Sequence, residues 1–273
     1  MKIIYLLNCS KKNGFGHLTR SILVAEELKK KKFEVFILLV NPNKFFIKFV
    51  KHFKTFLLYE KNQKVIAKKI NELSESRDFD SLFVDDYDLK QKFYNNLSKN
   101  IKKFSISDGN YSDKNINIIF DQSLSLPKKK NITSNKKFII INKNAFKPKK
   151  KEINQKNTYK IGIFLGANCK ISKIKNILKA IYKFNISKYS FNFFVLGEYS
   201  KNLNKLIKKK NISKIKFFKN LNSKIFLNKF YESDLAIGEG GNAALERYVM
   251  QIPSLNFLTN KNQKKILNLR LNK

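Results

Sequence analysis

The 273-residue chain reads as an α/β protein of parallel sheets, built as two similar halves. Three observations predict this. Short apolar runs of strand length alternate with longer amphipathic segments along the whole chain. A glycine turn stands between a strand run and a helix run near each end, at Asn13 to Arg20 and at Gly238 to Arg247. Between the halves, Lys143 to Asn157 turns polar and charged, with Pro148 inside it.

The front half opens with Ile3 to Leu7, an unbroken apolar run that suits a strand buried on both faces. A helix over Leu18 to Lys31 follows, because Leu18, Ile22, Leu23, Ala25 and Leu28 recur at helical spacing. Strands are then expected at Phe33 to Val40, Ser81 to Val84, Ile101 to Ile106 and Phe138 to Ile141. Helices are expected at Asn43 to Lys51, Gln63 to Ser76 and Leu89 to Asn100. The back half repeats the alternation, with strands at Tyr159 to Leu165, Phe191 to Leu196, Ile215 to Phe217, Leu235 to Ile237 and Ser254 to Phe257. Its helices fall at Ser172 to Phe184, Lys201 to Lys209, Asn222 to Phe230, Gly241 to Met250 and Asn262 to Leu269. These spans set domains at 1–147 and 158–273, joined by a linker at 148–157, with a cleft implied between them.

Composition bounds the partners. The formal net charge is +37, which taken alone points to nucleic acid or an anionic surface. Lys, Asn, Ile and Phe are inflated together, while Gly is 9, Pro 4 and Trp 0, as a very A+T-rich coding sequence would produce. The lysines are spread along the chain and no nucleic-acid-binding motif accompanies them, so no specific nucleic-acid partner is expected. Cys9 and Cys169 are too few for a disulfide framework and read as buried small hydrophobes in a reducing cytoplasm. The apolar start is too short for a signal peptide, and no run is long enough to span a bilayer. A soluble, cytoplasmic monomer is the expectation. His17 and His52 alone make no metal-ligand spacing.

The glycine turns carry the chemistry. Gly14 and Gly16 bring backbone close to a ligand, and His17 stands at the start of a helix at the carboxyl end of the first strand, the edge where open α/β sheets bind ligands. The positive helix end disfavours imidazolium, so His17 is either a neutral base or simply a helix cap. Asp85 and Asp86 end a strand at the same edge; they hold a substrate or a catalytic water, or they cap the helix near Leu89. Ser107-Asp108-Gly109 is a weaker version of the same pattern. In the back half, Gly238, Gly240 and Gly241 open a helix whose N-terminal amides suit a phosphate or diphosphate, and Glu246 is spaced to accept a ribose hydroxyl. Gly166-Ala167-Asn168 follows an apolar strand, so its amides face the same ligand or the loop is purely structural.

Taken together, these motifs resemble the UDP-sugar hydrolase family of pseudaminic acid biosynthesis, relatives of the glycosyltransferase that completes the lipid II disaccharide. Gly14, Gly16, His17 and Arg20 match one family element, and Val84-Asp85-Asp86-Tyr87 another. Gly238, Gly240, Gly241, Glu246 and Arg247 match the third, and Asn262-Gln263 the fourth. The resemblance implies a GT-B fold of two Rossmann-like domains and hydrolysis of UDP-2,4-diacetamido-2,4,6-trideoxy-β-L-altropyranose or a similar sugar, with neither cofactor nor metal. It implies His17 as the base and Arg20, Asp85, Tyr87, Asn262 and Gln263, with Gly14 and Gly16, as substrate contacts. Gly166, Gly238, Gly240, Gly241, Asn242 and Glu246 would bind UDP. Asn242 stands where the family has a small hydroxyl residue, and Glu239 brings a carboxylate into the phosphate loop, which repels a diphosphate unless it turns away. A transferase of the same fold, using a sugar or lipid hydroxyl in place of water, and a charge-driven nucleic-acid binder are the alternatives.

Overall fold

The structure, a computed structural model, describes residues 1–8, 14–86, 88–109, 115–123, 130–146, 158–166, 169–183, 187–196, 214–258 and 263. Its contacts divide the described residues into two compact units, 1–140 together with Gln263, and 141–258. The expected linker at 148–157 lies outside the described residues.

The first unit runs β1 (Lys2–Asn8), α1 (Gly14–Lys30), β2 (Glu34–Val40), α2 (Lys44–Ile47), β3 (Lys54–Leu58) and α3 (Gln63–Arg77). It continues with β4 (Ser81–Asp85), α4 (Gln91–Asn95), β5 (Lys102–Ser107), β6 (Ile118–Asp121) and β7 (Ile132–Thr133). The strands lie in the order β3-β2-β1-β4-β5-β6-β7, all parallel. The order reverses at β1, whose neighbours are β2 and β4, and this is the switch point at which such sheets bind ligands. Burial on both faces shows along β1: Ile4 and Leu6 enter one core cluster, Tyr5 and Leu7 the other.

The second unit runs β8 (Tyr159–Phe164), α5 (Ile171–Lys183), β9 (Tyr189–Val195), β10 (Ile215–Lys219), α6 (Ser223–Tyr231), β11 (Leu235–Glu239), α7 (Asn242–Val249) and β12 (Ser254–Phe257). Its parallel order, β10-β9-β8-β11-β12, repeats the same winding, with the switch point between β8 and β11. Ile163, Phe191 and Phe193 pack with α5 residues on one face, and Phe164 and Phe194 with Leu227 and Phe230 of α6 on the other.

Several elements differ from expectation. No strand forms at Phe138 to Ile141; a 3-10 turn covers Lys136–Phe138, and the Gln122 side chain serves the next residues instead of a neighbouring strand. Its Nε2 donates to the Phe138 carbonyl at 3.0 Å and its Oε1 accepts from the Ile140 amide at 2.7 Å. The helix expected over Leu89 to Asn100 is confined to Gln91–Asn95, closed where the Asn96 side-chain Nδ2 donates to the Lys92 carbonyl at 2.7 Å. The Asn43 to Lys51 helix shortens to one turn, Lys44–Ile47. Strands β3, β6 and β7 are additions, short and toward the sheet edges. The expected helix at Lys201 to Lys209 lies outside the described residues, as does that at Asn262 to Leu269 apart from Gln263.

Candidate active site

At the switch point of the first unit, β1 ends beside β4, with Leu7 opposite Asp85. Helix α1 returns over this edge and presents His17, Arg20 and Ser21, spaced three and four residues apart and so on one helix face. All three converge on Asp85. His17 Nδ1 lies 2.8 Å from Asp85 Oδ1, Arg20 Nε donates to Oδ2 at 2.7 Å, and the Ser21 hydroxyl donates to Oδ2 at 2.8 Å. Arg20 Nη2 also reaches Oδ1, which completes a two-pronged grip on the carboxylate. Its Nη1 donates to Asp108 Oδ1 at 2.8 Å, from the turn after β5.

Burial sets the electrostatics. Asp85 and Arg20 are 0% and 2% exposed, whereas the His17 side chain retains 13%. Burial pushes the Asp85 carboxyl up, but Arg20 and His17 outweigh that and hold it below the usual carboxylate range. An ionised Asp85 accepts a hydrogen bond from the ring, so Nδ1 carries the N–H and Nε2 the lone pair. Arg20 Nη2, 3.3 Å from Nδ1, is then a neighbour of the ring and not its donor. Burial pushes Asp86 up to about 6; its Oδ1 accepts the Asp88 amide at 2.8 Å, a local turn. Helix α4 starts from Lys90 without a side-chain cap, so neither aspartate caps it.

Gly14 opens α1, and a Cβ on Gly16 would meet nothing within 4 Å, so the backbone beside His17 faces open space. Arg20 and Asp85 bond each other, and both lie against His17. Tyr87 and Asn262 lie outside the described residues, and Gln263 groups with the first unit.

In the second unit the glycine turn follows β11 at the switch point. Gly241 is the N-cap of α7 and supplies no side-chain cap, which leaves the first-turn amides pointing off the helix end. The Ala244 amide already donates to the Gly241 carbonyl at 2.8 Å, and the Gly240 amide to Phe257 at 3.2 Å. The Gly240 amide is thus paired within the chain, and Gly241, Asn242 and Ala243 form the opening of α7. Gly238 makes room for another side chain. A Cβ there would stand 2.7 Å from Arg247 Nη1, and the buried Arg247 donates through Nη2 to the Glu239 carbonyl at 2.7 Å and also to Asn256. Gly166, at φ +78°, follows β8 with the Glu239 carboxylate over it: a Cβ would meet Oε2 at 2.7 Å. Glu239 turns toward Lys173, with Oε1 3.6 Å from Nζ. Burial pushes the Glu246 carboxyl up to about 7, against the pull of Arg247.

Sequence reasoning overlooked Ser21, Lys173 and the support given by Arg247. Ser21 was signalled by its four-residue spacing from His17. Lys173 carried no signal, because its pairing depends on how α5 lies beside β11.

Comparison with known proteins supports the fold. No family model matches the chain. An uncharacterized protein of Methanocaldococcus jannaschii is 27% identical over 97% of this chain; the chain spans 57% of that relative's length. Among solved structures, Acinetobacter baumannii MurG superposes with a TM-score of 0.66 at 10% identity, covering 99% of this chain and 83% of that one. The Neisseria meningitidis UDP-GlcNAc 2-epimerase bound to UDP-GlcNAc gives 0.61 at 13% identity, covering 98% and 85%. The Methanocaldococcus jannaschii UDP-GlcNAc 2-epimerase in complex with UDP-GlcNAc and UDP gives 0.58 at 15%, covering 100% and 93%. The chain has the GT-B fold.

Proposed function

We propose that this chain hydrolyses a UDP-linked deoxyaminosugar to free sugar and UDP, with a sugar of the 2,4-diacetamido-2,4,6-trideoxy-β-L-altropyranose type as substrate and nonulosonic acid synthesis as its setting. The observation that carries this reading is the His17 ring held through Nδ1 by an ionised, buried Asp85. Nε2 of His17 takes a proton from water as the water oxygen bonds to the anomeric carbon. The bond from that carbon to the diphosphate oxygen breaks, and its electron pair leaves with UDP. A positioned base of this kind contributes about 10²–10⁴-fold. Asp85 fixes the tautomer and stabilises the imidazolium that forms, while Arg20, Ser21 and Asp108 are positioning residues that hold Asp85.

In this reading the second unit holds the nucleotide. The Gly241, Asn242 and Ala243 amides receive the departing diphosphate at the positive end of α7, and Glu246 accepts the ribose hydroxyls. In this reading the protein acts as a monomer in the cytoplasm; no helix among the described residues is long and apolar enough to cross a membrane. That the solved neighbours include proteins bound to UDP-GlcNAc supports a nucleotide-sugar ligand.

The test is UDP release from a panel of UDP-sugars, with and without sugar or lipid acceptors. UDP formed with water alone is expected, and UDP formed only when an acceptor is added makes the chain a transferase. His17→Ala is expected to bind UDP as the parent does and to lose turnover; unchanged release removes His17 from the mechanism.

A further inference from the structure

The second unit carries a second pocket, at the opposite end of its sheet from the glycine turn. It has a volume of about 160 Å³ and is lined by Lys160, Ser190, Asn192, Lys214, Lys216 and Lys229, with Phe218 and Glu232 completing the wall. The strand register explains it. On the face covered by α6, Phe164, Phe194 and Phe218 form one apolar row, with Phe194 paired to each of the other two. One step toward the amino ends, the row becomes Gly162, Asn192 and Lys216, and the next step brings Lys160 beside Ser190. The apolar layer thus gives way to a polar one beneath the last turn of α6.

Asn192 is the informative residue. It is nine-tenths buried in a strand whose other central positions are Phe191, Phe193 and Phe194, and its amide lines the pocket without a side-chain hydrogen bond among the described residues. A buried amide left open to a pocket fits a ligand that accepts its N–H groups. Four lysines against one glutamate leave three positive charges in excess on the lining. Lys160 is 3.6 Å from Glu232, Lys214 donates to the Ser187 carbonyl, and Lys229 Nζ lies 5.1 Å over the Phe218 ring. Lys216, exposed and paired in register with Asn192, has no ion pair among the described residues.

We propose that this pocket binds a phosphate group, either inorganic phosphate or the phosphate of a small phosphomonoester, with Lys216 and Lys229 supplying charge and the Asn192 amide donating to an oxygen. Nothing in this inference depends on the nucleotide seat or on His17.

The test is a nuclear magnetic resonance titration of the full chain, following the Asn192 side-chain amide signal, which is assigned by its absence in Asn192→Val. Inorganic phosphate and glycerol 3-phosphate are added in separate arms, against sodium chloride at matched ionic strength. A saturable shift of that signal by either phosphate, absent with chloride, is expected, and the tighter arm identifies the source. Lys216→Gln with Lys229→Gln should weaken the midpoint by about tenfold or more, the loss expected when charge-assisted hydrogen bonds are removed, while Lys64→Gln on α3 leaves it unchanged. Equal shifts with chloride, a shift that never saturates, or a midpoint indifferent to the Lys216 and Lys229 changes would overturn the proposal.

Discussion

Replacing Asp85 by Asn probes the candidate active site most sharply, because the change keeps shape and removes charge. Asp85 Oδ1 serves His17 and Arg20 Nη2, while Oδ2 serves Arg20 Nε and Ser21. A carboxamide has one acceptor oxygen for these two clusters. If its NH₂ takes the Oδ1 place, it meets His17 Nδ1, which must then present its lone pair and move its proton to Nε2, so the base is lost. If its oxygen stays there, the NH₂ confronts the Arg20 Nε donor and leaves that guanidinium half-compensated in the core. The same tautomer error in Ser-His-Asp triads costs about 10⁴-fold, and a loss of that order is expected in UDP release. Removing one partner of a buried ion pair costs about 3–5 kcal/mol, an upper figure here because Asp108 remains on Arg20. Turnover, chemical denaturation and UDP titration are measured on one preparation. A folded Asp85→Asn protein with UDP release within tenfold of the parent would refute the reasoning.

Further outcomes concern the second unit. Glu239→Gln removes a carboxylate beside Gly166 that Lys173 only partly offsets, and should tighten UDP binding by about three- to tenfold in calorimetry; unchanged affinity would place the diphosphate elsewhere. The Glu246 carboxyl is raised in the folded state to about 7, so the folded chain binds more protons than the unfolded one between its unfolded value near 4.3 and that point. Stability from this group is therefore lost as pH rises through that window, and Glu246→Gln should flatten the fall in melting temperature between pH 5 and 8. An identical pH profile in both proteins would contradict the burial of that carboxyl.

The sequence revealed what rests on local rules. Unbroken apolar runs such as Ile3 to Leu7 announce strands buried on both faces, and the glycine turns after β1 and β11 lie at the switch points because the winding order puts them there. What stayed hidden depends on distant partners. Phe138 to Ile141 is apolar enough for a strand, yet the Phe138 carbonyl and the Ile140 amide bond the Gln122 side chain, and the Phe138 amide bonds the Asn135 carbonyl. Asp85 was legible as a carboxylate at the right edge; its task was not, because Arg20 and Ser21 reach it across 65 and 64 positions of sequence. Gly238 resembles a phosphate-loop glycine, and it lies within β11 where a Cβ would meet both the Phe164 carbonyl and the Arg247 side chain, contacts that only the packed strands reveal.

Hydrolysis of a panel of UDP-sugars in water enriched in oxygen-18 tests the proposed reaction most directly. Attack on the anomeric carbon predicts unlabelled UDP and heavy oxygen in the freshly released sugar, with both products absent in His17→Ala. Label appearing in UDP would put the cleavage at phosphorus, and an intact panel would remove nucleotide-sugar hydrolysis altogether.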